Sequence, residues 1–177
     1  RTVGVPRIVE VLWGDTPPRR PAENVATLVS RLRAALGADV VLGDRTGYRL
    51  GDVETDLGTA ARLVATARIG LPAAPGPAAV AAERAIALLE AGEVLPGEPD
   101  SDWVAAVRAE AAALLRTARH TAAAAALATG DSDAAIAAAE AAVRADRLDE
   151  PACRLLMSAH LAAGAPGAAL AAYTRLR

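Results

Sequence analysis

Lysine is absent from the 177 residues, and so is phenylalanine. Aromatic side chains make up 2% of the chain, as two Trp and two Tyr. A core without aromatic slabs must be built from Ala, Leu and Val, and alanine alone accounts for about 27% of the residues. The single cysteine excludes a disulfide framework. The alanine-rich apolar stretch Thr121–Thr129 is far short of the roughly 20 apolar residues that a bilayer span requires. No charged, apolar and small-residue leader opens the chain. A hydrophobic content of 53% excludes a disordered polymer. The missing lysine reads first as the codon bias of a GC-rich genome. It also excludes a phosphate-binding G-x-x-x-x-G-K-[ST] loop. The chain opens on Arg1 and closes inside a helical pattern with no cap, so it is expected to be a fragment at both ends.

What is present is alanine, the strongest helix former, in long periodic segments. The spacing predicts a short helix over Val5–Trp13 and a second over Ala22–Leu36, with an apolar stripe of Val25, Leu28, Val29, Leu32 and Leu36. Three prolines in Asp15–Pro21 mark the loop between them. Val40–Leu42 and Tyr48–Leu50, separated by a Gly-flanked turn, predict a β-hairpin. Further helices are expected at Asp56–Ile69, Pro77–Ala91, Asp102–Ala128, Ser132–Ala145, Pro151–Ala163 and Gly167–Arg177.

The last third repeats itself. Leu127-Ala-Thr-Gly130 and Leu161-Ala-Ala-Gly164 are offset by 34 residues, as are Ala134/Ala168, Ala135/Ala169 and Ile136/Leu170. That period, with small residues letting helices approach closely, is a tetratricopeptide signature.

The net charge of −2 hides an asymmetry. Residues 1–50 carry eight Arg against five acids, and the remainder carries eleven Arg against sixteen. The first part therefore suits an anionic partner and the second does not. No constellation of catalytic type occurs. His120 and His160 lack metal-like partners at helical spacing and are read as core or surface histidines, and Cys153 as a buried structural thiol. The acids between Glu93 and Asp102 read as solvated loop charges. No enzyme activity, cofactor or metal is expected.

The Ala22–Leu36 helix carries Arg, Asn and Thr on its free face and is followed by a hairpin with Arg45. Such a helix can enter a major groove, where Arg reads guanine and Asn reads adenine, while a hairpin reaches phosphate or the minor groove. The same arginines serve equally well simply to solvate a helix.

The runs Leu12-Trp-Gly-Asp-Thr-Pro-Pro18, Asn24-Val-Ala-Thr-Leu-Val-Ser-Arg-Leu-Arg-Ala-Ala-Leu-Gly37 and Gly47-Tyr-Arg-Leu50 resemble the second half of an OmpR-type winged-helix domain, and more specifically that of the actinobacterial SARP regulators. Leu95-Pro-Gly, Trp103 with Arg108, Leu155-Leu-Met157 and Ala169–Arg177 resemble that family's bacterial transcriptional activator domain. The resemblance implies a mainly α fold. Residues 1–52 would form a partial winged helix-turn-helix with a hairpin wing, lacking the family's opening strands and first helix. Residues 53–177 would form a tetratricopeptide-like array. It implies a cytoplasmic transcriptional activator that binds double-stranded promoter DNA, with RNA polymerase or a second copy of itself as further partners and no membrane.

The family's recognition helix falls on Ala22–Leu36. Arg31 is then the leading base reader, with Asn24, Thr27 and Ser30 beside it. Arg33 either contacts phosphate or braces the fold. Arg45 and Thr46 sit on the wing, and Arg19 and Arg20 lie in the loop that touches DNA or polymerase. Tyr48 packs at the wing base, and Trp13 at the corner between helix and loop. The competing reading is a helical-repeat adaptor that binds no DNA, which would need no hairpin near residues 40–50.

Overall fold

The computed structural model describes residues 2–176. Arg177, the last residue of the final expected helix, lies outside them. The chain divides into two compact units, Arg1–Glu54 and Thr55–Arg177.

The first unit contains a three-stranded antiparallel sheet of β1 (Val3–Gly4), β2 (Val41–Asp44) and β3 (Gly47–Leu50) in the order β1-β3-β2. Helices α1 (Val5–Trp13) and α2 (Pro21–Leu36) accompany it. Pro6 and Pro21 open the two helices, where their missing N–H groups cost nothing and their fixed φ suits a first turn. The hairpin turns over Arg45-Thr46, with Asp44 opposite Gly47 and Gly43 opposite Tyr48. Close approach requires glycine at Gly43 and Gly47 within the hairpin, and at Gly51 just after it, where a side chain would run into the Asp39 carbonyl. Gly43 has φ +111, and a side chain there would run into the carbonyl of Gly47. A side chain on Gly47 would stand 2.9 Å from the Val3 carbonyl oxygen, so Gly47 is what admits β1 to the sheet.

Strand β1 is not foreseen by periodicity, because two residues carry no alternation to read. The core of the unit is Val5, Val25, Val29, Val41 and Tyr48, with Ile8, Val9, Trp13 and Val40 packed against it. Trp13 and Tyr48 thus take their expected packing roles. The expected apolar stripe of α2 divides. Val25 is 1% exposed, whereas Leu28, Leu32 and Leu36 stand at 40%, 44% and 63%. The core lies under only one edge of the stripe, and no described residue buries the other.

The second unit is a run of six helices: α3 (Asp56–Gly70), α4 (Pro75–Leu89), α5 (Asp102–Thr129), α6 (Ser132–Ala145), α7 (Glu150–Ala162) and α8 (Pro166–Leu176). Their ends lie within two residues of the expected ones, because local chemistry fixes them. Thr55, Asp131 and Asp149 accept the N-terminal amides of Gly58, Ala134 and Ala152 at 3.0–3.1 Å. Gly130 and Gly164, one repeat apart, adopt left-handed φ values of +81 and +72 and close α5 and α7.

Each helix packs on the next, and α5 also packs on both α3 and α7. The contact surfaces are mostly alanine. Ala60, Ala67, Ala82, Ala85, Ala118, Ala123, Ala125, Ala135, Ala152 and Ala159 are all fully buried. Larger side chains join them in the same clusters, Val64 with Ala60 and Leu156 with Ala123.

A leucine at Ala123 would overfill this seam. Ala123→Leu is expected to destabilise the helical unit by about 1–3 kcal/mol, measured as a lower urea midpoint with unchanged slope. An unchanged midpoint would show that the seam has room to spare.

Candidate nucleic-acid interface

Helix α2 presents Asn24, Thr27 and Arg31 at spacings of three and four residues, and Arg20, its N-cap residue, stands four residues before Asn24. They therefore form one row, with Ser30 beside Thr27. All five are exposed and lie opposite Val25 and Val29. Core burial of those two valines is what turns the polar row outward. Within the row, Arg20 pairs with Glu23 at 3.2 Å, but both side chains are more than 60% exposed. Such a pair is worth roughly 0–1 kcal/mol and leaves Arg20 available to an anion. The Thr27 hydroxyl donates to the Glu23 carbonyl at 2.9 Å, so only its acceptor side faces outward.

Arg33 behaves differently. Its Nε donates to the Val41 carbonyl and its Nη2 to the Gly43 carbonyl, each at 2.8 Å, and its guanidinium carbon stands 5.8 Å from the Tyr48 ring centre. These bonds fit the bracing role of the two open to it. Arg33 joins α2 to β2 across the ring of β3.

The wing tip carries Arg45 and Thr46, both exposed. Both Thr46 donors, the backbone N–H at 2.8 Å and the hydroxyl at 2.7 Å, are directed to Asp44 Oδ1. Thr46 therefore has no free donor for a phosphate, and its contribution is to the shape of the turn. Arg45 alone presents a free cation at the tip. The hydroxyl and then the amide of Thr46 hold the Asp44 carboxyl below the ordinary 3.8.

Arg49 on β3 is an exposed cation not singled out from the sequence. Strand alternation against the buried Tyr48 is the signal that marks it. With Arg7 and Arg31 it lines an open apolar groove of about 880 Å³, whose walls include Ile8, Leu12, Leu28, Leu32 and Leu50. The charge of the unit is less lopsided than residues 1–50 imply. Extending to Glu54 adds Asp52 and Glu54 and lowers the excess from three to one. The basic character is local to the α2 row and the wing.

The second unit supplies a different chemistry. The guanidinium of Arg108 donates to the carbonyls of Val94 (3.1 Å) and Leu95 (3.3 Å) and to Asp100 (2.8 Å), with Glu93 3.9 Å away. The Glu93–Asp102 acids are thus not only solvated charges, since two of them hold Arg108 over the loop in which Leu95 takes φ +55. Among the described residues, no group of three His, Cys, Asp or Glu could hold a metal, and no helix is long and apolar enough to cross a membrane. Cys153 is buried, as expected.

The bacterial transcriptional activator domain matches residues 55–177. Over 99% of its length the chain is similar to the solved structure "Mycobacterium tuberculosis EmbR in complex with low affinity phosphopeptide", at 27% identity and a TM-score of 0.86. The match covers 48% of that chain, so the present chain spans about half the length of its solved relative. No curated protein matches it.

A depressed carboxyl pKa stabilises the folded turn above the unfolded value of 3.8, and this contribution is lost as pH falls through the folded value. In an NMR acid titration the Thr46 amide is expected to shift with a midpoint below 3.8. Asp44→Asn should remove that step. A midpoint at the ordinary value would mean that the turn is not closed by Asp44.

Proposed function

The chain belongs to the bacterial transcriptional activator domain family, as a SARP-type regulator, and from that premise we propose that it binds promoter DNA through α2 and the β2–β3 wing. The observation that carries the reading is the exposed row Arg20, Asn24, Thr27 and Arg31, turned outward by the burial of Val25 and Val29 and flanked by a hairpin ending in Arg45.

In this reading α2 lies in the major groove. Arg31 donates to guanine O6 and N7, and Asn24 contacts adenine. Ser30 and the acceptor side of Thr27 serve bases or ordered water. Arg20 and Arg45 meet phosphate on either side and fix the register. Arg33 and Thr46 act indirectly, by holding the wing in place and in shape. The array of α3–α8 serves self-association or contact with RNA polymerase or an effector, and the protein works in the cytoplasm. The hairpin over residues 41–50 favours this reading over a repeat adaptor, which has no use for it.

The test is a gel-shift titration of the complete regulator on duplexes selected from a random pool, at several salt concentrations. Binding should weaken steeply with salt. Arg31→Ala should cost about 1–3 kcal/mol and relax the preference at one base pair. Arg45→Ala should weaken all sequences alike. Unchanged affinity and preference in Arg31→Ala would remove Arg31 as a reader, and the absence of salt-dependent binding would return the chain to the adaptor reading.

A further inference from the structure

A second recognition surface lies within the helical unit. Helices α3, α5 and α7 line one open trough of about 640 Å³. Each contributes one nitrogen-bearing side chain: Arg68 from α3, His120 from α5 and Arg154 from α7. Leu71 and Leu155 also line it, and no carboxylate is among the described residues that do. This stands out in a unit whose acids outnumber its arginines fourteen to eleven.

The nearby carboxylates are engaged elsewhere. Asp149, 4% exposed at its side chain, accepts the Ala152 amide at 3.0 Å through Oδ1 and lies 2.8 Å from His120 Nε2 through Oδ2. An ionised carboxylate only accepts, so the imidazole N–H donates to it and the ring is held in one orientation. Glu150 pairs with Arg154 along α7 at 3.5 Å. Both side chains are more than 60% exposed, so the pair is weak and open to exchange. Arg68 has no carboxylate partner among the described residues.

We propose that this trough binds an extended acidic segment of a partner protein, with Asp or Glu carboxylates on Arg68 and Arg154 and apolar side chains on Leu71 and Leu155. Guanidinium forks take carboxylates in two parallel hydrogen bonds. The lining offers both basic and apolar side chains, so an acidic segment with apolar residues can engage both kinds. The trough is open, which suits a chain laid across it better than a small molecule that must be enclosed. Repeat arrays expose such a surface where like helices line up. The proposal concerns only the second unit and stands independently of DNA binding.

The test is fluorescence anisotropy of the whole chain with a labelled dodecapeptide rich in Glu and Asp with interspersed Leu, beside its Gln/Asn counterpart. The acidic peptide is expected to bind, and the amide peptide to bind roughly tenfold more weakly or worse. Arg68→Ala and Arg154→Ala should each weaken the acidic peptide by roughly three- to tenfold. Arg116→Ala, on α5 in a different groove, should have no effect. Since Arg68 and Arg154 are exposed, the variants should keep the helical circular dichroism of the parent. No binding at millimolar peptide, equal binding of the amide peptide, full affinity in both trough variants, or an equal loss in Arg116→Ala would each overturn the proposal.

Discussion

The first unit depends on one arginine. Its sheet has strands of two to four residues, and β2 and β3 alone would make a marginal hairpin. Arg33 fastens that hairpin to α2 by two carbonyls of β2 and by the face of Tyr48, which is itself 6% exposed in the core. Helix and wing therefore move as one surface. The outward row of α2 and the turn bearing Arg45 keep their relative placement only while that joint holds. Arg108 repeats the device in the second unit, where its fork grips two successive carbonyls of the loop before α5. A lysine has a single ammonium head and does not span two carbonyls as a planar fork does. The total absence of lysine, whatever its genomic origin, is compatible with joints of this kind.

The helical unit is held by a complementary principle. Alanine seams let helices approach closely but present nearly uniform surfaces, which by themselves would allow neighbours to slide. A few polar ties set the alignment. Arg119 reaches Glu90 at 2.6 Å, linking α5 to the end of α4, and His120 reaches the buried Asp149 at the start of α7. Asp149 does two things at once, capping α7 and anchoring α5. That places the trough-lining imidazole and the N-terminal turn of α7 in a fixed relation.

Much of this was legible in the sequence where the cause is local. Proline at the first helical turn, Thr or Asp before it, and glycine after it fixed most helix ends. The 34-residue offset foretold the paired left-handed glycines at 130 and 164. What was not legible depends on contacts between distant residues. Strand β1 exists because Gly47 leaves space for it. Leu28, Leu32 and Leu36 carry the same periodic signal as Val25 and Val29, and only the packed structure shows which of them the core reaches. The row of α2 was readable as a polar face. That Arg33 turns inward to β2, and that Thr46 has given both donors to Asp44, required the hairpin to be in place. His120 and Asp149 are 29 residues apart, and no spacing rule joins them.

Arg33 makes α2 and the wing a single body. Hydrogen exchange on Arg33→Lys measures this most directly, because the charge is kept while the fork is lost. Amides of residues 41–50 are expected to lose protection while those in the middle of α2 and in the helical unit keep theirs. Unaltered protection of the hairpin in Arg33→Lys would contradict it.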